Sequence, residues 1–152
     1  MNDFDFFVGT WDVTNRRLGE HFAGSDDWDT FPATSVCRRV WDGRASFEEM
    51  TCPTKGFSGL TLRLHDPVRD EWSLYWANSR NGLLDNVPVV GRFAPDGVGT
   101  FYGDDLDDRR PVRVRFVWDE ITATTARWTQ AFSADDEKTW ETNWIMEFTR
   151  TG

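Results

Sequence analysis

The chain has 152 residues, with 17 Lys and Arg against 26 Asp and Glu, a formal charge of −9. That length suits one domain over residues 1–152, and the acidic balance argues against nucleic acid or an anionic membrane surface as a partner, since both demand clustered Lys and Arg. Nine Trp, twelve Phe and two Tyr bring enough apolar area to exclude a disordered chain.

The predicted elements are almost all strands. A short helical turn is expected at Asp3-Phe4-Asp5-Phe6-Phe7. A first strand, Val8 to Leu18, places Trp11, Val13, Asn15 and Arg17 on one face, because side chains alternate across a strand. A polar loop with Gly24-Ser25-Asp26-Asp27 near its centre follows, and the stretch 19–32 has room for one more helical turn. Strands at 34–41 and 45–52 flank Asp42-Gly43, the signal of a two-residue hairpin turn. Strand 58–65 carries Leu60, Leu62 and Leu64 on one face and Thr61, Arg63 and His65 on the other. After His65-Asp66-Pro67, strand 71–78 alternates Trp72, Leu74 and Trp76. Strands 87–94 and 98–103 flank Ala94-Pro95-Asp96-Gly97, and Asp104-Asp105-Leu106-Asp107-Asp108 reads as a solvated turn. Strand 111–119 alternates Val112, Val114, Phe116 and Trp118 against Arg113 and Arg115, which fall on the outer face. Strand 124–133 alternates Trp128, Gln130 and Phe132, and the last strand carries Trp140, Thr142, Trp144, Met146, Phe148 and Arg150 on one face.

Ten short strands joined by turns predict an all-β fold, a single antiparallel up-and-down barrel, because closure removes exposed edges. Pointing the apolar faces inward gathers Trp11, Trp72, Trp76, Trp118, Trp128 and Trp144 around one interior. A barrel of this size leaves room for a small ligand. No basic, apolar leader opens the chain and no run nears the ~20 apolar residues of a bilayer span, so a cytoplasmic protein is expected. Cys37 and Cys52 are too few for a disulfide framework and read as reduced thiols.

Gly9-Thr10-Trp11, directly after the aromatic turn, resembles the G-x-W motif of the calycin superfamily, which includes lipocalins and fatty-acid-binding proteins. The resemblance implies that Arg150, in Phe148-Thr149-Arg150, packs on Trp11 and closes the barrel floor. More closely, the chain resembles an uncharacterised bacterial family of lipocalin-like proteins of unknown function. The matching stretches are residues 4–11, Gly59 to Leu64, Trp72 to Trp76, Val90 to Phe93 and Arg127 through Arg150. The resemblance implies the fold and no activity. A haem-binding branch of the superfamily, nitrobindin, holds its cofactor through a His near the C-terminal end. Here the only His are His21 and His65, so haem is not expected. The Arg-x-Tyr carboxylate pair of fatty-acid-binding proteins is missing around Tyr75 and Tyr102, so fatty-acid carriage is not implied. Ser133-Ala134-Asp135-Asp136-Glu137-Lys138-Thr139-Trp140 resembles a sialidase Asp-box. A single copy cannot build a propeller and is read as hairpin chemistry.

No phosphate loop, nucleophile elbow or zinc-helix motif is present, and no metal or cofactor is expected. Candidate catalytic residues are Arg17, Glu49, Gln130 and Asn15. Arg17 and Asn15 share the face of Trp11, Gln130 shares that of Trp128, and Glu48 and Glu49 are the nearest candidates to partner a buried Arg. Two readings stay open: Arg17 lies at the rim in water and Gln130 bonds the backbone, or the two fix a ligand carbonyl, phenolate or carboxylate. Candidate ligand-binding residues are Trp76, Trp118, Trp128, Trp144, Met146 and Phe116. His65 is expected at the surface, and His21 is expected as a solvated loop residue, with a lid position at the barrel mouth as the alternative. The expected function is binding of a small hydrophobic, aromatic or polycyclic molecule in the Trp-lined interior. The alternative is a cofactor-independent cyclase, isomerase or dehydratase acting on a hydrophobic intermediate in the same pocket. A small molecule is the expected partner, and a homodimer is left open.

Overall fold

In the computed structural model, which describes residues 3–152, the alternating sequence closes into a ring of ten antiparallel strands. In chain order these are β1 Gly9–Leu18, β2 Trp28–Val40, β3 Ala45–Cys52, β4 Phe57–Asp66, β5 Glu71–Asn78, β7 Val89–Phe93, β8 Gly99–Asp107, β9 Arg110–Asp119, β10 Thr125–Ser133 and β11 Glu141–Arg150, with a two-residue β6, Leu83–Leu84, beside β5. Neighbours in sequence are neighbours in space, and β11 pairs β1 from Trp11 opposite Arg150 to Arg17 opposite Trp144. The expected up-and-down barrel is therefore present, with no free edge left by the ring itself.

One end is a floor. A 3₁₀ turn at Asp5–Phe7 inserts Phe4 and Phe7 under the strands. Phe7 stacks on Trp11 at 5.2 Å and meets Trp118 and Phe148 at 4.9 Å, while Phe4 meets Trp72 edge-on at 4.9 Å. Their polar edges are satisfied, as buried indoles require: Trp11 Nε1 donates to the Phe7 carbonyl and Trp72 Nε1 to Asp3 Oδ2. The Arg150 guanidinium lies 4.3 Å from the Trp11 ring and donates to the carbonyls of Phe6, Val8 and Ala123. This is the seal that the resemblance implied. It also explains Gly9, which has φ +129°: a Cβ there would meet Arg150 Nη1 at 2.5 Å and the Gly152 carbonyl at 2.6 Å, and only glycine takes that backbone freely.

Several local expectations are corrected. The strand after the first loop starts at Trp28, so 28–32 is strand and 19–27 holds no helix. The β2–β3 connection is the four-residue Trp41–Arg44 loop, with positive φ at Trp41, Asp42 and Gly43, instead of a two-residue turn. Asp104 to Asp107 continue β8 instead of forming the turn.

The largest correction concerns β4. Its leucine face points outward, with Leu60 38% exposed, and its Thr61–Arg63–His65 face points in. Register fixes this: Thr61 stands opposite Glu48 and Trp76, and Gly59 opposite inward-facing Met50. The Trp76 ring occupies the space above Gly59, where a Cβ would come within 1.9 Å of it. A one-residue change of face inverts a whole strand, and here the packing of Trp76 over Gly59 accompanies the polar-inward register.

The last strand also departs. A β-bulge between Gln130 and Ala131 leaves Asn143 as the extra residue of β11. Trp144, Met146 and Phe148 point inward, Thr142 is exposed, and Trp140 lies outside against Arg115 at 4.4 Å. Bulges of this kind re-aim the residues on either side.

Candidate functional site

Above the floor the barrel keeps a cavity of about 250 Å³. Its aromatic wall is built by β5 (Trp76), β9 (Phe116, Trp118), β10 (Trp128, Phe132) and β11 (Trp144), with Met146 between them. Trp144 is the centre of this wall: its ring meets Trp128 at 5.6 Å and Trp76 at 6.4 Å, both edge-to-face. Its Nε1 donates to Asn15 Oδ1 at 2.9 Å, so the orientation of the indole is set by a polar anchor behind it. Phe116 packs edge-on to Trp128 at 4.9 Å.

The six tryptophans do not all share this hollow. Trp11 and Trp72 are absorbed into the floor, while Trp118 faces both floor and cavity and Trp76, Trp128 and Trp144 line the void. The floor tryptophans are filled in because the Phe4–Phe7 turn rises into the barrel at that end.

The candidate residues on β1, β9, β10 and β11 form one contiguous band. Register places Arg17 beside Trp144, then Gln130, then Phe116, and in the next row Asn15 beside Met146, then Trp128, then Trp118. Trp76 closes on this band from β5. Gln130 lines the cavity and donates from Nε2 to Asn143 Oδ1. The bulge thus buries Asn143 as the partner of Gln130. Asn15 is fully buried, with its Nδ2 left without a protein acceptor. Arg17 faces inward at the upper rim among Phe31, Phe57 and Trp144, with ring centroids 5.0–5.8 Å from the guanidinium carbon.

Glu49 does not join them. It is exposed on the outer face, and Glu48 is the inward residue. The signal was available: Glu48 has the parity of Ser46, Met50 and Cys52, all buried. Glu48 and Arg63 form an ion pair with side chains 8% and 3% exposed, and both border the cavity. The Ser35 hydroxyl donates to the other Glu48 oxygen. The Arg63 guanidinium lies over Phe4, Phe7 and Trp118 at 5.0–5.6 Å. A buried charge pair survives only with such further partners. Beside it, burial pushes the Cys37 thiol up to about 11, partly opposed by Arg63 and reinforced by Glu48.

The mouth opposite the floor carries Asp85 after β6, and Asp104 and Asp105 on β8. The walls thin the hydration of Asp85, and the Asp105 carboxylate adds repulsion; both raise its carboxyl above the usual range. Loop 19–27 is tied to this end by His21, whose Nδ1 lies 2.9 Å from Asp107 Oδ1 and whose ring meets Phe132 edge-on, and by the Phe22 amide, which donates to Glu141. His65, expected at the surface, has a side chain only 4% exposed, held by Asp70 and packed on Trp72. The Asp-box-like segment is hairpin chemistry: Asp135 accepts from the Thr139 hydroxyl, from the Thr139 amide and from the Ser133 hydroxyl, which together hold its carboxyl down at about 2. Among the described residues, no group of three or more His, Cys, Asp or Glu converges to hold a metal ion, and no helix is long and apolar enough to cross a membrane.

No protein-family model and no curated protein matches the chain. Among solved structures, it is similar to an S-type phycobiliprotein lyase, CPES, from Guillardia theta. The two share 12% identity and a TM-score of 0.58 over 98% of this chain and 90% of that one. At that identity the likeness is one of fold, and it agrees with the closed antiparallel barrel described above.

Proposed function

We propose that this protein binds a small, mainly hydrophobic molecule, aromatic or polycyclic, inside the barrel. The observation that carries the reading is the cavity itself: about 250 Å³ of space whose wall is formed by Trp76, Trp118, Trp128, Trp144 and Phe116. The volume is just below the roughly 300–1,000 Å³ of drug-sized pockets, which favours a compact guest of a few rings. Flat guests suit this wall, because edge-to-face indoles present ring faces and edges for offset stacking. The likeness to a phycobiliprotein lyase is a likeness of fold and selects no ligand for this barrel. Titration of the intrinsic Trp fluorescence with a library of hydrophobic aromatic compounds tests the reading, with thermal shift in parallel. Quenching together with a rise in melting temperature is expected for some members; the absence of both across the library refutes it.

A second reading, cofactor-independent chemistry on such a guest, is favoured by one observation. Gln130 and the Glu48–Arg63 pair border the same void as the tryptophans. Fixed polar groups in a dry cavity can orient a substrate and stabilise developing charge. Conversion of a bound library member, detected by mass spectrometry and abolished in Gln130→Leu, would separate an enzyme from a carrier.

A further inference from the structure

Arg17 is set apart from the other inward-facing charges. Glu48 and Arg63 form an ion pair with each other, whereas Arg17 meets three aromatic faces and, among the described residues, no hydrogen-bond acceptor and no carboxylate within ion-pair distance. Its direct cross-strand neighbour on β2 is Asp29, yet Asp29 is engaged by Lys55. Lys55 also lies over Phe31 at 5.4 Å, and Arg80 over Phe57 at 5.1 Å. Three cations therefore share two phenyl rings at one side of the mouth, with Asp29 as the carboxylate that pairs among them. Aromatic faces hold a guanidinium in place, but they leave its N–H donors free, and those donors match the paired oxygens of an acid. Arg17 lies 5.0 Å from the Trp144 ring, and Trp144 is the centre of the cavity wall. A guest on that wall can thus reach Arg17 around the edge of one indole. Across the ring, Asp85 and Asp105 give the mouth the opposite charge, so the two sides of the opening orient an acid head in one sense.

We infer that the guest of this barrel is an aromatic acid: its ring system occupies the Trp cavity, and its carboxylate, sulfonate or phosphate accepts hydrogen bonds from Arg17. The inference rests on the binding reading above. It is tested with two probes that share a ring skeleton, 8-anilinonaphthalene-1-sulfonate and its uncharged counterpart N-phenyl-1-naphthylamine, each titrated into wild-type protein, Arg17→Met and Arg17→Lys. A charge-assisted contact of this kind is worth roughly a tenfold to hundredfold change in affinity. The sulfonate probe is therefore expected to weaken by that factor in Arg17→Met and by less in Arg17→Lys, while the uncharged probe changes by less than about twofold, within the scatter of a contact it does not make. Equal losses for the two probes, or no loss for either, overturn the acid site and leave the cavity reading standing. Should Arg17→Met not fold, the comparison of the two probes in Arg17→Lys decides by the same criterion. Failure of the uncharged probe to bind wild-type protein counts against the cavity reading instead. Inorganic sulfate alone is the remaining arm: displacement of the sulfonate probe by sulfate at equal concentration assigns the cluster to a free oxyanion and overturns the aromatic acid.

Discussion

Replacing Arg63 by Met leaves Glu48 charged, 8% exposed at the side chain, and held only by the Ser35 hydroxyl. Breaking a buried pair by removing one partner costs about 3–5 kcal/mol. The lost guanidinium contacts with Phe4, Phe7 and Trp118 add about 1–2 kcal/mol, partly returned by the packing of the Met side chain. A net loss of about 4–6 kcal/mol corresponds to a fall in melting temperature of roughly 10–20 °C for a chain of this length. Removing the second charge tests the cause. Arg63→Met combined with Glu48→Gln leaves no unpaired charge, and the amide still accepts from Ser35, so the double variant is expected to recover about 2–3 kcal/mol relative to Arg63→Met. Urea unfolding at pH 7, followed by Trp emission, gives the four corners of the cycle. A cost below about 1 kcal/mol for Arg63→Met, or strictly additive effects in the double variant, refutes the claim that the pair is a coupled, desolvated unit.

Three further outcomes follow from the same structure. Asp135 is held at about 2 against an ordinary 3.8, so its contribution to stability is complete above pH ~4 and disappears as pH falls towards 2; Asp135→Asn is expected to flatten that part of the stability profile, and an unchanged slope would refute the hairpin assignment. Cys37 is pushed up to about 11 and Cys52 is also raised by burial, so neither thiol should react with a disulfide reagent in native protein at pH 8 and both should react in urea; rapid native labelling of Cys37 would contradict its placement. Gly59→Val drives a side chain into the Trp76 ring. It is expected to shift Trp emission and to weaken aromatic guests by roughly tenfold, as repacking of about 1–3 kcal/mol implies; unchanged emission and affinity would show that Trp76 does not stand over Gly59.

The barrel was legible because its signals are local and repeated. Strands such as Glu71–Asn78 and Ala45–Cys52 follow from alternation and flanking turns alone, and Gly9-Thr10-Trp11 with Arg150 marked the floor. The inward face was harder to read wherever both faces were equally plausible in isolation. On β4 three leucines outvoted Arg63, because the partners that make a buried arginine tolerable, Glu48 and the floor phenyls, lie on other strands. The Glu48–Glu49 choice turned on a parity with Met50 and Cys52 that was present in the sequence. The Asn143 bulge left no mark of its own, since a single extra residue is defined only against its partner strand. Partition of the tryptophans between floor and cavity depended on how far the Phe4–Phe7 turn climbs into the barrel, which no periodicity encodes.

Pairing of β11 with β1 has a kinetic meaning. The two strands that complete the ring are the first and last of the series, so the contact that makes the cylinder whole spans the greatest separation along the polypeptide. Forming it carries a large loop-closure entropy and belongs late in folding. During synthesis β1 must wait, with one flank unsatisfied, until β11 has been made. That interval is when the nascent protein is most exposed to joining a neighbour's strand instead of its own.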